Sequence, residues 1–293
     1  MPNRAGPVLP EGRAVLVTGA SSGLGQDCAL HLAGLGFRVF AGVRRPEDGE
    51  RLAAEVPSGR LRPLRIDVTD GDSIKAAAEA VADEVGDEGL WGLVNNAGIC
   101  VCAPLEVVSP ELLREQLETS VVGQVAVTQA LLPLLRLQGG RIVNVTSGLG
   151  SVAIPFLGAY AAGQFAKEAV SDAFRRELAP SGVTVSVVQP GAIMTPIWAK
   201  VAQGGSRAIE AAPGPVAELY RSAFAKFLVT NEETARSSST TPAHFTAAVT
   251  DALTAPRPRI RHPVGRDVSR GRVLVRLLPR GALDRAFSKI ARG

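Results

Sequence analysis

"TGASSGLG", Thr18–Gly25, decides the fold. It closes a short apolar, β-branched run, "RAVLVTG" (13–19). It leads into "QDCALHLAGLG" (26–36), where apolar residues recur at helical spacing and stop at Gly36. Glycines there let the backbone turn tightly and approach a pyrophosphate, whose charge then lies at a helix N-terminus. A lone glycine triplet is a weak signal. One that ends a strand, opens a helix and begins a strand–helix–strand unit sits in the context such a loop requires.

After this loop, apolar runs alternate with helical ones. Strands are expected in "FRVFAGV" (37–43), "LRPLRIDV" (61–68), "GLWGLVNNAG" (89–98), "GRIVNVTS" (140–147) and "GVTVSVVQPG" (182–191). Helices are expected over 46–56, over 70–85 from an Asp start, over 109–137 and within 154–178. Ser109 caps the long helix over 109–137, Pro110 takes its first turn and Gly139-Gly140 closes it. Six such units before Pro190 predict one α/β domain with a doubly wound parallel sheet and helices on both faces. Beyond Pro190 the alternation fails. Residues 194–230 read as one or two helices over the sheet edge, a small lid spanning about 196–241, and "NEETARSSSTT" (231–241) reads as polar and mobile. Thr241 caps a helix to 253, and "RPRIRHPVG" (257–265) adds a last strand. The expected boundaries are a loose leader (1–11), the domain (12–265) and a basic tail (266–293).

Composition excludes several classes. The net charge of +4 and 4% aromatics lack the basic, aromatic-interleaved surface of a nucleic-acid binder. Three cysteines, Cys28, Cys100 and Cys102, make no disulfide framework and fit a reducing cytoplasm. Cys100 and Cys102 stand too close together for usual zinc spacing, and no histidine lies near, so no metal site is expected. The start has no apolar signal region, and no run approaches eighteen apolar residues. The tail reads in two ways: a membrane-surface or partner helix, or a helix packed on its own domain. Pro279 and Gly281 interrupt it and favour the second.

Thr18, Gly19, Gly23 and Gly25, with "NNAG" (95–98), resemble the short-chain dehydrogenase/reductase family. "DVT" (67–69) ends the third strand, where that family places an Asp by the adenine. Ser147 precedes Tyr160 by thirteen residues, the family's usual spacing, and "PGAIMT" (190–195) matches its nicotinamide segment. The match is dense over 12–196. "LWGLVNNAGI" and "RPRIRHPVGRD" point toward the steroid and retinol dehydrogenase branch. The resemblance implies a Rossmann-type fold. It implies cofactor contacts at Gly19, Ser21, Ser22, Gly23, Leu24, Gly25, Asp67, Val68, Asn95, Ala97, Gly98, Tyr160, Gln164, Pro190, Gly191, Ile193 and Thr195. It also implies a homodimer or homotetramer.

The end of the second strand selects the cofactor. Val43 stands where NAD-users of the family tend to carry Asp, and Arg44 and Arg45 follow. A guanidinium pairs with a 2′-phosphate through a planar fork, so NADP(H) is favoured over NAD(H).

The resemblance gives Ser147 the substrate oxygen and Tyr160 its proton, with an assisting lysine one turn after the tyrosine and an asparagine on the preceding helix. Here Gln164 replaces the lysine and Ser120 the asparagine. A tyrosine near pKa 10 is a poor base unaided. A nearby ammonium is worth a few kcal/mol at an effective dielectric of about 20. Its loss slows oxidation most, because reduction needs Tyr160 only as an acid. Lys167, about 10.5 Å further along the helix, is either a substitute cation or a surface lysine, and the distance favours the second.

By analogy the pocket is walled by 100–102, 149–157 and 193–201, mostly apolar, which implies a hydrophobic small molecule. The leading expectation is an NADP(H)-dependent reductase of a ketone or aldehyde. The alternatives are a non-redox enzyme on the same fold (dehydratase, isomerase or cyclase) and a silent homologue.

Overall fold

A computed structural model of the protein describes residues 8–292, so the leader through Pro7 lies outside the described residues. Seven strands form one parallel sheet: β1 (Ala14–Thr18), β2 (Arg38–Val43), β3 (Leu61–Arg65), β4 (Gly92–Asn95), β5 (Arg141–Val145), β6 (Thr184–Pro190) and β7 (Arg261–Val264). Their spatial order is β3-β2-β1-β4-β5-β6-β7, with every neighbouring pair parallel. The winding reverses between β1 and β4, which opens a crevice at their C-terminal ends.

Both faces are covered, as the unbroken apolar strands require. Side chains alternate along β1: Val15 and Val17 enter one core, Ala14 and Leu16 the other. The first core is covered by α1 (Gly23–Gly34), α2 (Pro46–Ala54) and α9 (Pro242–Thr254). The second is covered by α3 (Gly71–Val85), α5 (Gly123–Gln138) and α6 (Gly158–Leu178). Asp70 caps α3 by accepting from the backbone N–H groups of Asp72 and Ser73. Trp91 fastens the end of α9 beneath the sheet. The guanidinium groups of Arg13 and Arg141 lie 4.1 and 5.0 Å from the centre of its ring, and its Nε1 donates to the Leu253 carbonyl at 3.1 Å.

Two sequence expectations change. The expected long helix over 109–137 is α4 (Pro110–Leu117), a π turn (Glu118–Val122) and α5. A π turn inserts one residue per hydrogen-bonded loop and re-aims the side chains around it. Taken as one run, Pro110–Gln138 is long enough, and in part apolar enough, to cross a membrane. That apolarity is core-directed: Val127, Leu131 and Leu135 are buried against the sheet. Second, residues 231–236 are not mobile polar chain. They end α8 (Gly214–Arg236), where Arg236 pairs with Glu232 one turn earlier.

The remaining helices are α7 (Ile197–Glu210), which with α8 forms the lid, and α10 (Arg266–Leu277) and α11 (Arg280–Arg292) in the tail. Val8 donates its N–H to the Thr254 carbonyl at 2.8 Å, which joins the start of the described chain to α9. Phe245 of α9 is fully buried in the first core. Phe245→Ala is expected to cost about 3–5 kcal/mol of stability, read as a lowered urea midpoint with unchanged slope. A loss below 1 kcal/mol would show that α9 is not part of the cooperative core.

Candidate active site

Thr18 sews the crevice together. Its Oγ1 accepts from the backbone N–H groups of Asn96 and Ala97, each at 3.0 Å. Asn96 Nδ2 donates back to the carbonyls of Thr18 and Gly19 at 3.0 and 3.3 Å. Gly19 and Gly23 have φ of 65° and 58°, where only glycine sits without strain. A Cβ on Gly25 would run into the Gly19 carbonyl and Asn96 Nδ2. The loop is thereby a bare-backbone cradle that opens on α1. Ser22, the N-cap of α1, makes no side-chain capping bond, and the Thr195 side chain lies beside Gly23. The nearer motif asparagine behaves differently. Asn95 is buried, and its Nδ2 donates to Thr128 Oγ1 and Asn144 Oδ1, both at 2.9 Å. Its side chain serves the interior, and Asn96 is the residue that meets the loop.

Further round the cradle, Asp67 Oδ1 accepts from Thr69 N and Oγ1 at 3.0 and 2.8 Å. Burial pulls the Asp67 pKa up, but these bonds and the fields of Arg44 and Arg65 outweigh it and hold the carboxyl below its ordinary value. The carbonyl of buried Val68 packs against Gly123 so tightly that a Cβ there would clash. Arg44 and Arg45 are both exposed. Arg45 Nε pairs with Asp48 at 3.0 Å, whereas Arg44 forms no ion pair among the described residues. Arg51, a residue the sequence did not single out, donates to the Ser21 carbonyl at 3.0 Å and so links α2 to the loop.

Across the crevice, β5 delivers Ser147, whose Oγ accepts from the Leu149 N–H at 3.2 Å. Tyr160, half-buried in the first turn of α6, has its hydroxyl close to the Ser147 side chain. Burial and the neighbouring Cys100 push the Tyr160 pKa well up, against the opposing bond from Ser147. The phenol is therefore neutral at neutral pH. Gln164, one turn on, is buried, and its Oε1 has no partner among the described residues. Ser120 lies in the π turn, and its Oγ accepts from Gln116 Nε2 at 2.8 Å. Gln116 also bonds the Ile99 carbonyl and the Val101 N–H, strapping the loop that carries Cys100. Sequence reading missed Gln116 because it stands outside every motif.

Lys167 corrects the reading as a surface lysine. It is 3% exposed and makes no ion pair among the described residues. Seven residues beyond Tyr160 it returns to the helix's inward face, beside Gln164 and Ser171. Burial lowers its pKa to about 8, partly opposed by Glu168. Glu168 itself is committed elsewhere: it accepts from Thr146 Oγ1 and Gln189 Nε2, both at 2.8 Å, and pairs with Arg261 at 3.0 Å.

The lid closes the apolar side. Cys102, Phe156, Leu157 and Val201 pack with Phe224 and Phe227 of α8, and Cys100, Leu149, Ile154 and Tyr160 lie against that cluster. Phe156 has φ of 69°, a conformation costing about 1–3 kcal/mol for a bulky residue. Its carbonyl accepts from Ala103 N at 2.8 Å, and its ring meets those of Phe224 and Phe227 edge-on at 5.2 and 5.3 Å. After β6, Pro190 and Ile193 are buried, and Trp198 Nε1 donates to the Ile193 carbonyl at 2.8 Å. Asp267 packs on Gly191 and accepts from the Ala192 N–H at 3.0 Å. A shallow groove between α3 and α5, lined by Ile74, Ala78 and Ala130, shares no residue with this constellation.

The sequence model of the short chain dehydrogenase family matches residues 13–205. The chain belongs to the short-chain dehydrogenase family. Among its relatives, a 3-amino-tetrahydro-pyrrolizinone reductase from Xenorhabdus hominickii is 44% identical over 255 residues, 87% of each chain. The bovine 17-beta-hydroxysteroid dehydrogenase type 6 is 38% identical, covering 92% of this chain and 86% of its own. The crystal structure of a short chain dehydrogenase from Burkholderia cenocepacia in complex with NADP superposes with a TM-score of 0.72 at 28% identity. It covers 96% of this chain and 99% of its own. This short-chain dehydrogenase is thus an enzyme of oxidoreductase type, and its crevice, bare-backbone loop and orphaned Gln164 oxygen fit a nicotinamide dinucleotide.

The buried Lys167 carries a stability signature. The unfolded chain holds this proton up to pH 10.5, the folded chain only to about 8. Between those values the unfolded state binds more protons, so stability rises with pH there. Below pH 8 the folded state carries the whole cost, about 3 kcal/mol from a shift of that size. Lys167→Met is expected to raise the urea midpoint at pH 7 and to lose that advantage by pH 10.5. Equal midpoints at pH 7 would show a solvated ammonium.

Proposed function

We propose that this enzyme is an NADP(H)-dependent reductase acting on a carbonyl group of a hydrophobic small molecule. The observation that carries the reading is Tyr160: a neutral phenol beside Ser147, facing an apolar lid, with no cation one turn away. Such a tyrosine is a proton donor first. A bound nicotinamide dinucleotide supplies the hydride. Ser147 Oγ holds the substrate oxygen, and Tyr160 delivers the proton as that oxygen gains charge. Gln164 offers its free Oε1 to a ribose hydroxyl, the neutral half of what a lysine would do. The lid aromatics exclude water and select an apolar ligand. The Xenorhabdus reductase, named for a compact nitrogen-bearing bicycle, supports a natural-product-like substrate over a fatty chain.

The proton requirement tests the direction. Reduction of an apolar ketone by NADPH is expected to hold steady across neutral pH, because the raised pKa keeps Tyr160 protonated. Oxidation of the corresponding alcohol is expected to climb with pH. Tyr160→Phe should lower reduction by about 10²–10⁴-fold with NADPH binding intact. Gln164→Lys should speed oxidation at neutral pH by about tenfold or more. Turnover that survives Tyr160→Phe, or NADPH binding with no ketone reduced, would turn the assignment to non-redox chemistry.

The preference for NADP(H) rests on Arg44, free at the end of β2, with Val43 buried where an acidic residue would repel a 2′-phosphate. Arg44→Ala is expected to weaken NADPH binding about tenfold or more while leaving NADH within about twofold, read by fluorescence titration. Equal losses for both cofactors would remove the preference.

A further inference from the structure

The tail divides into two unlike helices. α11 is an ordinary covered helix: Leu283, Phe287 and Ile290 are partly buried, and Ile290 joins the lid cluster on the side of α8. α10 carries apolar side chains toward the domain and, in its last two turns, away from it. Its inward face carries Val268, Arg272 and Val275. Val268 is buried against the loop after Ser147, and Arg272 donates to Gln189 Oε1 at 2.7 Å. On the opposite face, at helical spacing, stand Val273 (56% exposed), Leu274 (51%) and Leu277 (74%), with Leu278 (40%) just beyond. A helix merely packed on its domain turns a polar face outward. These are four of the fifteen large exposed apolar residues among the described residues, gathered within six positions.

Their surroundings name the partner. Arg266, Arg270, Arg276 and Arg280 are exposed around the stripe and form no ion pair among the described residues. Residues 266–293 hold eight of the chain's 32 Lys and Arg but two of its 28 Asp and Glu, a net +6 against −2 for the remainder. An apolar stripe ringed by unpaired arginines matches an anionic lipid surface, with side chains at the acyl boundary and guanidinium groups at phosphates. We propose that the end of α10 is a docking surface for an anionic membrane. Asp267 at the other end of α10 holds the Ala192 N–H, and Val268 packs on Gly148, so docking sets the mouth of the active site at the lipid face.

Vesicle co-sedimentation of the full chain tests this. The protein is expected to sediment with phosphatidylcholine vesicles containing phosphatidylglycerol, and not with phosphatidylcholine alone. The paired change Leu274→Asp with Leu277→Asp should abolish sedimentation with an unchanged circular dichroism spectrum. Each of Arg270→Gln and Arg276→Gln should weaken it about fivefold. Leu277→Trp should add a fluorescence that shifts to the blue only with the anionic vesicles. No anionic binding, equal binding to both vesicles, or binding indifferent to the Asp pair would overturn the proposal. So would an Asp pair that instead halves the particle size on gel filtration, because a second copy would then cover the stripe.

Discussion

The bond from Asn96 N–H to Thr18 Oγ1 joins the two loops that leave the sheet where its winding reverses. Everything at the site is dimensioned from that seam. Thr18 ends β1 and Asn96 follows β4, so one hydroxyl and one amide fix the width of the crevice between them. Gly19 and Gly25 must then be bare, because the seam brings Ala97 and Asn96 to where their Cβ atoms would lie. α1 starts from this fixed loop, which aims its free N–H groups across the crevice. Strand β5 lies next to β4 and inherits the same frame, so Ser147 arrives opposite the loop without any interaction of its own with it.

Within that frame the electrostatics of Tyr160 depend on what α6 presents inward. A lysine at 164 would be buried, and the carboxylate one turn on, Glu168, is already taken up by Thr146, Gln189 and Arg261. Gln164 avoids that cost and keeps a polar reach. Lys167 accepts the cost one turn later. At about 10 Å and an effective dielectric of about 20, its charge is worth only about 1.7 kcal/mol to a tyrosinate. It biases Tyr160 weakly, where the burial of the phenol acts strongly in the other direction. The two substitutions therefore work together: Ser120 is taken up by Gln116, Gln164 carries no charge, and the phenol keeps its proton.

Much of this was legible in the sequence because it is local. The strand–loop–helix around Thr18–Gly25, the Ser147-to-Tyr160 interval and the absence of an acid at Val43 are all read within short windows. What escaped depends on how helices are rotated or on partners far apart in the chain. The π turn at Glu118–Val122 leaves no mark in an apolar pattern, yet it decides which way Ser120 points. Lys167 is buried because α6 packs its Gln164–Ser171 face inward, and a lysine reads as surface by type alone. Arg45 looked equal to Arg44 until Asp48 paired with one and not the other. The helical end of α8 was hidden by its serine- and threonine-rich neighbours.

The lid shows where stability is spent to shape a site. Phe156 sits in a backbone conformation suited to glycine, held by Ala103 on one side and by Phe224 and Phe227 on the other. A glycine there would relieve the strain but leave α8 without the ring that it closes on. Edge-on aromatic contacts add about 0.5–1.5 kcal/mol each beyond their buried area, enough for two of them to offset the backbone cost. The same loop reaches Ser147 through Leu149 and Gly148, and Gly148 is where α10 packs. The lid, Ser147 and the tail thus meet on one short loop.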